Sequence, residues 1–184
     1  MKHPFEHIRP ERRGLYFYAS LLGTLLLMVV MNWIGGPLNT PEAPYGIVSF
    51  EFTGTWDKAQ AIMTSWGADG MVRAAFIQGL DFLFPLVYSS AIGLGCLMAG
   101  GVLQVRKWPL SRLGGMLAWG LWLAAGFDYI ENFALTALLF GTEGATWAML
   151  STVCATVKFL LIFLGMVYAL YGLMIRLVIA KPGS

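Results

Sequence analysis

Charge is scarce in this chain. Asp, Glu, Lys and Arg make up only 12% of its 184 residues, while hydrophobic residues reach 58%. A water-soluble domain carries about a quarter of its residues charged, so the shortage points to lipid as the solvent. The net charge of +2 is too small to imply nucleic acid as a partner. Histidine is nearly absent: His3 and His7 both precede the first apolar run, which leaves the spans no imidazole for zinc or haem. Two cysteines, Cys96 and Cys154, sit inside apolar runs with no CxxC pair. That excludes a disulfide scaffold and a thiol–disulfide enzyme, and both are read as packing residues. No loop has calcium- or magnesium-ligand spacing, although an oxygen-only site from intramembrane carboxylates stays open. No metal or cofactor is expected. Repeats and low-complexity tracts are also missing.

Long apolar runs are present. Four stretches, about 15–34, 74–98, 115–140 and 147–173, can each cross a hydrocarbon core, which takes about 20 helical residues. The expected fold is all-α: one polytopic domain over 1–184, an antiparallel bundle of four transmembrane helices. Lys2, Arg9, Arg12 and Arg13 precede the first run; Arg106, Lys107 and Arg112 separate the second from the third; Arg176 and Lys181 follow the fourth. The other connections hold only Lys58 and Arg73 among several acids. The positive-inside rule then places both termini in the cytoplasm, in a plasma membrane or a bacterial inner membrane. The first run exceeds a signal peptide's apolar core of about 7–15 residues and lacks a clean small-x-small site after it, so it is read as a retained helix.

The connection over 35–70 is the long outside loop. Pro37, Pro41 and Pro44 break its start, and Ile47 to Phe52 reads as a short extended stretch carrying Glu51 between two Phe residues. Thr55 suits an N-cap, for a helix that runs to Trp66 and stops at Gly67. Trp56, Ala59, Met63 and Trp66 share one face of it, as in a helix lying flat among headgroups, an anchor or a lid.

Ionisable residues interrupt three of the spans. Asp81 lies within QGLDFLFP, Asp128 and Glu131 within GFDYIENF, and Lys158 within ATVKFLL. A charge at the bilayer centre costs about 2.5–3.5 kcal/mol on insertion scales, so these groups should pair or line a wet cavity. Helical spacing aligns Asp128, Glu131 and Asn132 with Ala124 and Leu135, aligns Gln78, Asp81, Pro85 and Tyr88, and aligns Ser151, Cys154, Ala155 and Lys158. Asn32 could join them from the first helix. Pro85 frees the carbonyl four residues back, that of Asp81, and is expected to kink the second span. The opposite half shows Ala91, Gly95 and Ala99 at four-residue spacing, which lets helices pack closely. Three acids and one Lys cannot all be ionised cheaply, so at least one acid should hold a proton near neutral pH. A protonated acid beside an ionised one performs general acid–base work or proton coupling. Asp81 sits in GLDF rather than GxGD, which argues against an aspartyl intramembrane protease.

The layout resembles the four-helix EXPERA group, which includes sterol isomerases and the sigma-2 receptor. The likeness lies in four spans, cytoplasmic ends, a long structured first loop, and a second span bearing Asp81, Pro85 and Tyr88. Sterol isomerases of that group use His and Glu in the second span, where this chain has Gln78 and Asp81. The resemblance implies a lipophilic ligand entering an acid-lined cavity between helices.

The leading expectation is a pocket protein for a lipid or isoprenoid-like molecule. Asp128 and Glu131 would serve as acid and base, Asp81 as a second acid and Lys158 as counter-ion. Asn132, Gln78, Tyr88, Asn32 and Glu51 would contact the ligand. Two alternatives stand beside it: a small proton- or ion-coupled carrier, and an accessory subunit whose polar cluster is architectural. A homo-oligomer or a membrane-complex partner fits either.

Overall fold

The computed structural model describes residues 3–178. Lys2 and Lys181, which entered the charge count, lie outside the described residues. Regular structure is entirely helical among them, with no strand. Four helices are long and apolar enough to cross a membrane, as expected of an integral membrane protein.

A 3-10 turn, Pro4–His7, leads into α1 (Pro10–Gly35). Pro10 suits a first helical position, where its missing N–H would have had no intrahelical partner. Thr24 is the sole buried residue of α1; Leu15, Tyr18, Leu22, Leu26 and Val29 are exposed. Such exposure of an apolar helix suits contact with lipid.

After a 3-10 turn over Gly36–Leu38 comes α2 (Ile47–Glu51), where the sequence pattern suggests an extended stretch. The helical turn corrects that expectation. An extended segment would place Ile47, Ser49 and Glu51 on one side; the turn instead gathers Ile47, Phe50 and Glu51. Phe50 is fully buried against Trp66, with ring centroids 5.2 Å apart, while Val48 and Phe52 remain exposed. Gly46, at φ +56, makes the tight entry that an L side chain would resist.

Helix α3 (Trp56–Asp81) opens on Thr55, whose hydroxyl accepts from the Lys58 amide at 3.4 Å. Gly67, at φ 61 and ψ −171, kinks it where the sequence suggests a stop, and the helix then resumes. The face expected to lie on lipid packs into protein instead. Ala59, Ile62 and Trp66 are buried in a cluster with Leu38, Phe50, Ile77, Leu135 and Leu138. The Trp66 indole donates to the Leu38 carbonyl at 2.8 Å, a bond unavailable to a ring floating among headgroups.

The run over 74–98 is not one helix. It breaks at Phe82 and Leu83, and α4 (Phe84–Val105) begins there. Pro85 is the second residue of α4, with no N–H to give and a ring that excludes the carbonyl of residue 81. Thus Asp81 ends a helix rather than sitting inside one. Then follow α5 (Leu113–Leu139) and α6 (Ala145–Val178).

Contacts divide the chain into two compact units. One comprises Met1–Thr24, Leu86–Ala125 and Lys158–Ser184; the other comprises Leu25–Pro85 and Gly126–Val157. The first unit is held by close backbone approach. A Cβ on Gly114 would lie 2.6 Å from the Cys96 carbonyl oxygen, and one on Gly172 would meet Ala99 at 2.3 Å. Arg106 donates to the Ile175 and Arg176 carbonyls at 2.9 and 3.0 Å, satisfying the open end of α6. The Tyr168 hydroxyl donates to the Leu110 carbonyl at 2.9 Å. At the N-terminus, His3 is fully buried between Phe5, Trp119 and Trp122, with ring centroids 4.6–4.9 Å away. Its Nδ1 accepts from the Phe5 amide, and Glu6 accepts from the His3 amide.

Candidate functional site

The second unit holds the polar residues. On α5 burial recurs at Ala124, Asp128, Glu131, Asn132, Leu135 and Leu138, with the first of these in the other unit. Asp128 is 1% exposed and both Glu131 and Asn132 are 0% exposed. These are desolvated groups, so hydrogen bonding decides what they can do. From α3, Gln78 and Asp81 are buried as well.

A side-chain chain connects the two helices. The Gln78 amide nitrogen donates to Asn132 Oδ1 at 2.7 Å. Asn132 Nδ2 in turn donates to the Asp81 main-chain carbonyl at 3.0 Å. The order is forced. Pro85 leaves that carbonyl without its helical donor, so Asn132 must present its nitrogen there and its oxygen to Gln78. Gln78 Oε1 is then left buried with no hydrogen-bond partner among the described residues. Such an atom is an acceptor waiting for a water or a ligand donor. Phe82, in the break itself, packs edge-on against Phe133 and near Tyr129, with centroids 5.3 and 6.3 Å away. Those contacts tie the break to α5.

The loop before α3 is tied to the start of α6. The Thr152 hydroxyl donates to the Glu51 carbonyl at 3.1 Å and accepts from the Gly54 amide at 3.0 Å. The Ser151 hydroxyl, donating mainly to Ala148, also lies 3.3 Å from the Glu51 carbonyl. Glu51 itself is 5% exposed. It therefore makes a fourth buried acid, with Asp81, Asp128 and Glu131, all in this unit. Burial of Glu51 was not legible as such, because its neighbours suggested an extended segment; the polar pair Ser151-Thr152 at the head of an apolar run was the available signal.

Asn32 is exposed, and its amide folds back onto the Met28 carbonyl at 2.8 Å. Tyr88 and Lys158 are buried in the first unit, with Lys158 Nζ 5.1 Å from the centre of the Phe159 ring. Among the described residues no three His, Cys, Asp or Glu side chains gather in a way that could hold a metal ion.

No protein-family model, no curated protein and no solved structure matches this chain. The likeness to the EXPERA group therefore rests on layout alone.

Proposed function

We propose that this is an integral membrane protein whose buried carboxylates bind a lipid or isoprenoid-like molecule and act on it by acid–base chemistry. In this reading four spans form an antiparallel bundle with both ends cytoplasmic and the acids toward the outside face, as the distribution of Lys and Arg suggests. The observation that carries it is the Gln78–Asn132–Asp81 chain. It holds a polar strip rigid inside an apolar helix pair, and it leaves Gln78 Oε1 open to a donor.

Asp128 and Glu131 precede Asn132 on α5 by one turn and by one residue. One, protonated, would give a proton to the ligand while the other, ionised, takes one from it. Asp81 would serve as a second acid. Lys158 would be the counter-ion, because a buried ammonium needs a carboxylate. Glu51, its backbone held by Thr152, would contact the ligand from the loop. Asn32, exposed and bonded to its own helix, is left out of the proposal.

The test is mass spectrometry of what co-purifies in mild detergent, with wild type beside an Asp128→Asn/Glu131→Gln double variant. A lipophilic compound retained by the wild type and lost by a variant that still melts cooperatively would support the reading. Equal ligand content in the two proteins would end it.

A second reading has its own observation. The exposed face of α1 is wide enough to receive another subunit, as an accessory protein or a homo-oligomer would need. Cross-linking in native membranes from cysteines placed on that face would separate a partner from bare lipid.

A further inference from the structure

Two depressions in the first unit share Glu6, Arg112 and Gly115. One, of about 400 Å³, is polar and is also lined by His7, Arg13 and Ser111. Its neighbour, of about 650 Å³, is floored by Met116 and Trp119. Both volumes fall in the range of small-molecule sites, about 300–1,000 Å³.

Glu6 and Arg112 face this space without pairing, while Arg13, on the same polar wall, directs its donors to main-chain carbonyls. Glu6 and Arg112 form no ion pair, and Arg112 makes no hydrogen bond among the described residues. The wall that carries Glu6 is fixed. Arg13 donates to the Ile8 and Glu6 carbonyls at 3.0 and 2.8 Å, and His3 is wedged against Trp119 and Trp122. Gly115, Met116 and Trp119 fall on one face of α5, and Arg112 lies in the turn immediately before it. At 1.5 Å per residue Trp119 lies roughly 6 Å further along α5 than Gly115. Trp108, just before α5, is exposed, as tryptophans at a water–lipid boundary are.

We infer that this is a binding site for phosphatidylethanolamine. Arg112 takes the phosphate, Glu6 takes the primary ammonium, and an acyl chain lies along Gly115, Met116 and Trp119. The inference follows from the charge pattern. A zwitterion with a phosphate and an N–H-bearing cation satisfies both side chains, with charge-assisted hydrogen bonds at each end. Phosphatidylglycerol offers the phosphate but nothing to Glu6. Phosphatidylcholine offers a cation without a hydrogen-bond donor. Inorganic phosphate would fill the polar depression and leave the apolar one empty. The site belongs to the first unit, so it stands apart from the proposed carboxylate chemistry and survives if that fails.

The experiment is lipid binding by the full chain in detergent, read by native mass spectrometry against phosphatidylethanolamine, phosphatidylglycerol, phosphatidylcholine and inorganic phosphate. Wild type should retain phosphatidylethanolamine over either other lipid. Arg112→Gln should weaken it about tenfold, the effect of one charge-assisted pair. Glu6→Gln should abolish the preference over phosphatidylglycerol while leaving phosphate-dependent binding, since glutamine retains the acceptor that caps the His3 amide. Melting temperatures of both variants check the fold, and neither substitution removes a side-chain hydrogen bond that glutamine cannot replace. Binding of all three lipids alike by the wild type, or of inorganic phosphate alone, would overturn the inference, as would an Arg112→Gln protein that binds undiminished.

Discussion

Asn132 donates a hydrogen bond at 3.0 Å to the main-chain carbonyl of Asp81, the carbonyl that Pro85 denies its helical partner. The break between α3 and α4 is thus sealed from a different helix. A buried carbonyl left without a donor is costly inside a membrane span, and Asn132 offsets that cost at Pro85.

Asn132→Leu should therefore cost about 1–2 kcal/mol of stability, between the penalty for a buried unsatisfied carbonyl and the smaller values measured in membrane bundles. Pro85→Ala restores an N–H that can serve the same carbonyl. In that background the cost of Asn132→Leu should shrink, with a coupling of about 0.5–1 kcal/mol. A double-mutant cycle on thermal melting in detergent measures it; strict additivity would mean the two residues act separately.

Gly114→Ala should be poorly tolerated. Its methyl would arrive 2.6 Å from a backbone carbonyl oxygen of α4, which cannot swing aside as a side chain can. An overpacked contact costs about 1–3 kcal/mol. Gly101→Ala is the control, since nothing lies within 4 Å of its Cβ. A melting-temperature loss confined to position 114 is the expected result.

Burial pushes the His3 imidazole below its usual 6.5, partly opposed by the nearby Glu6 carboxylate. Its folded form therefore prefers the neutral ring, whose Nδ1 accepts from the Phe5 amide. The unfolded chain binds the proton more readily, so the stabilisation is complete above 6.5 and drains away as the pH falls below it. Melting temperatures measured from about pH 8 to about pH 5 should fall for the wild type, and fall less for His3→Phe.

Thr152 both receives and gives at the loop over 51–54. Thr152→Val keeps the shape and removes both bonds, so the Gly54 amide should exchange its hydrogen several times faster, for a loss of about 1 kcal/mol. Hydrogen exchange by mass spectrometry on that peptide reads it. Exchange unchanged at Gly54 would mean the loop is held by Phe50 and its apolar neighbours alone.

Much of the architecture was legible because lipid imposes a coarse rule: about twenty apolar residues make a span, whatever their order. The Thr55 cap and the Gly67 discontinuity were legible too, since each rests on local backbone chemistry. The break at Phe82–Leu83 was not. Proline inside an apolar run signals a lost hydrogen bond, and whether the helix bends or stops depends on what reaches the freed carbonyl. Here that group is Asn132, fifty-one residues further along the chain. Residues 47–52 were misread for a related reason: alternation over so few positions is outweighed by the partner that a single side chain finds, in this case Phe50 on Trp66. The polar face of α5 followed from helical periodicity. Asn32 turns its amide onto its own backbone, as an amide in an apolar helix can.

The contrast between α1 and α4 reaches into how this sequence can change. In α4, Tyr88, Ala91, Leu94, Cys96, Ala99 and Leu103 are all buried, and each must match the contour of a neighbour. In α1 Thr24 alone is in that position. A fluid of acyl chains moulds itself to any apolar side chain, so exchanges among Leu, Ile, Val and Phe along α1 should pass almost unnoticed. The two helices obey different grammars: one restricts the alphabet, the other spells out each letter.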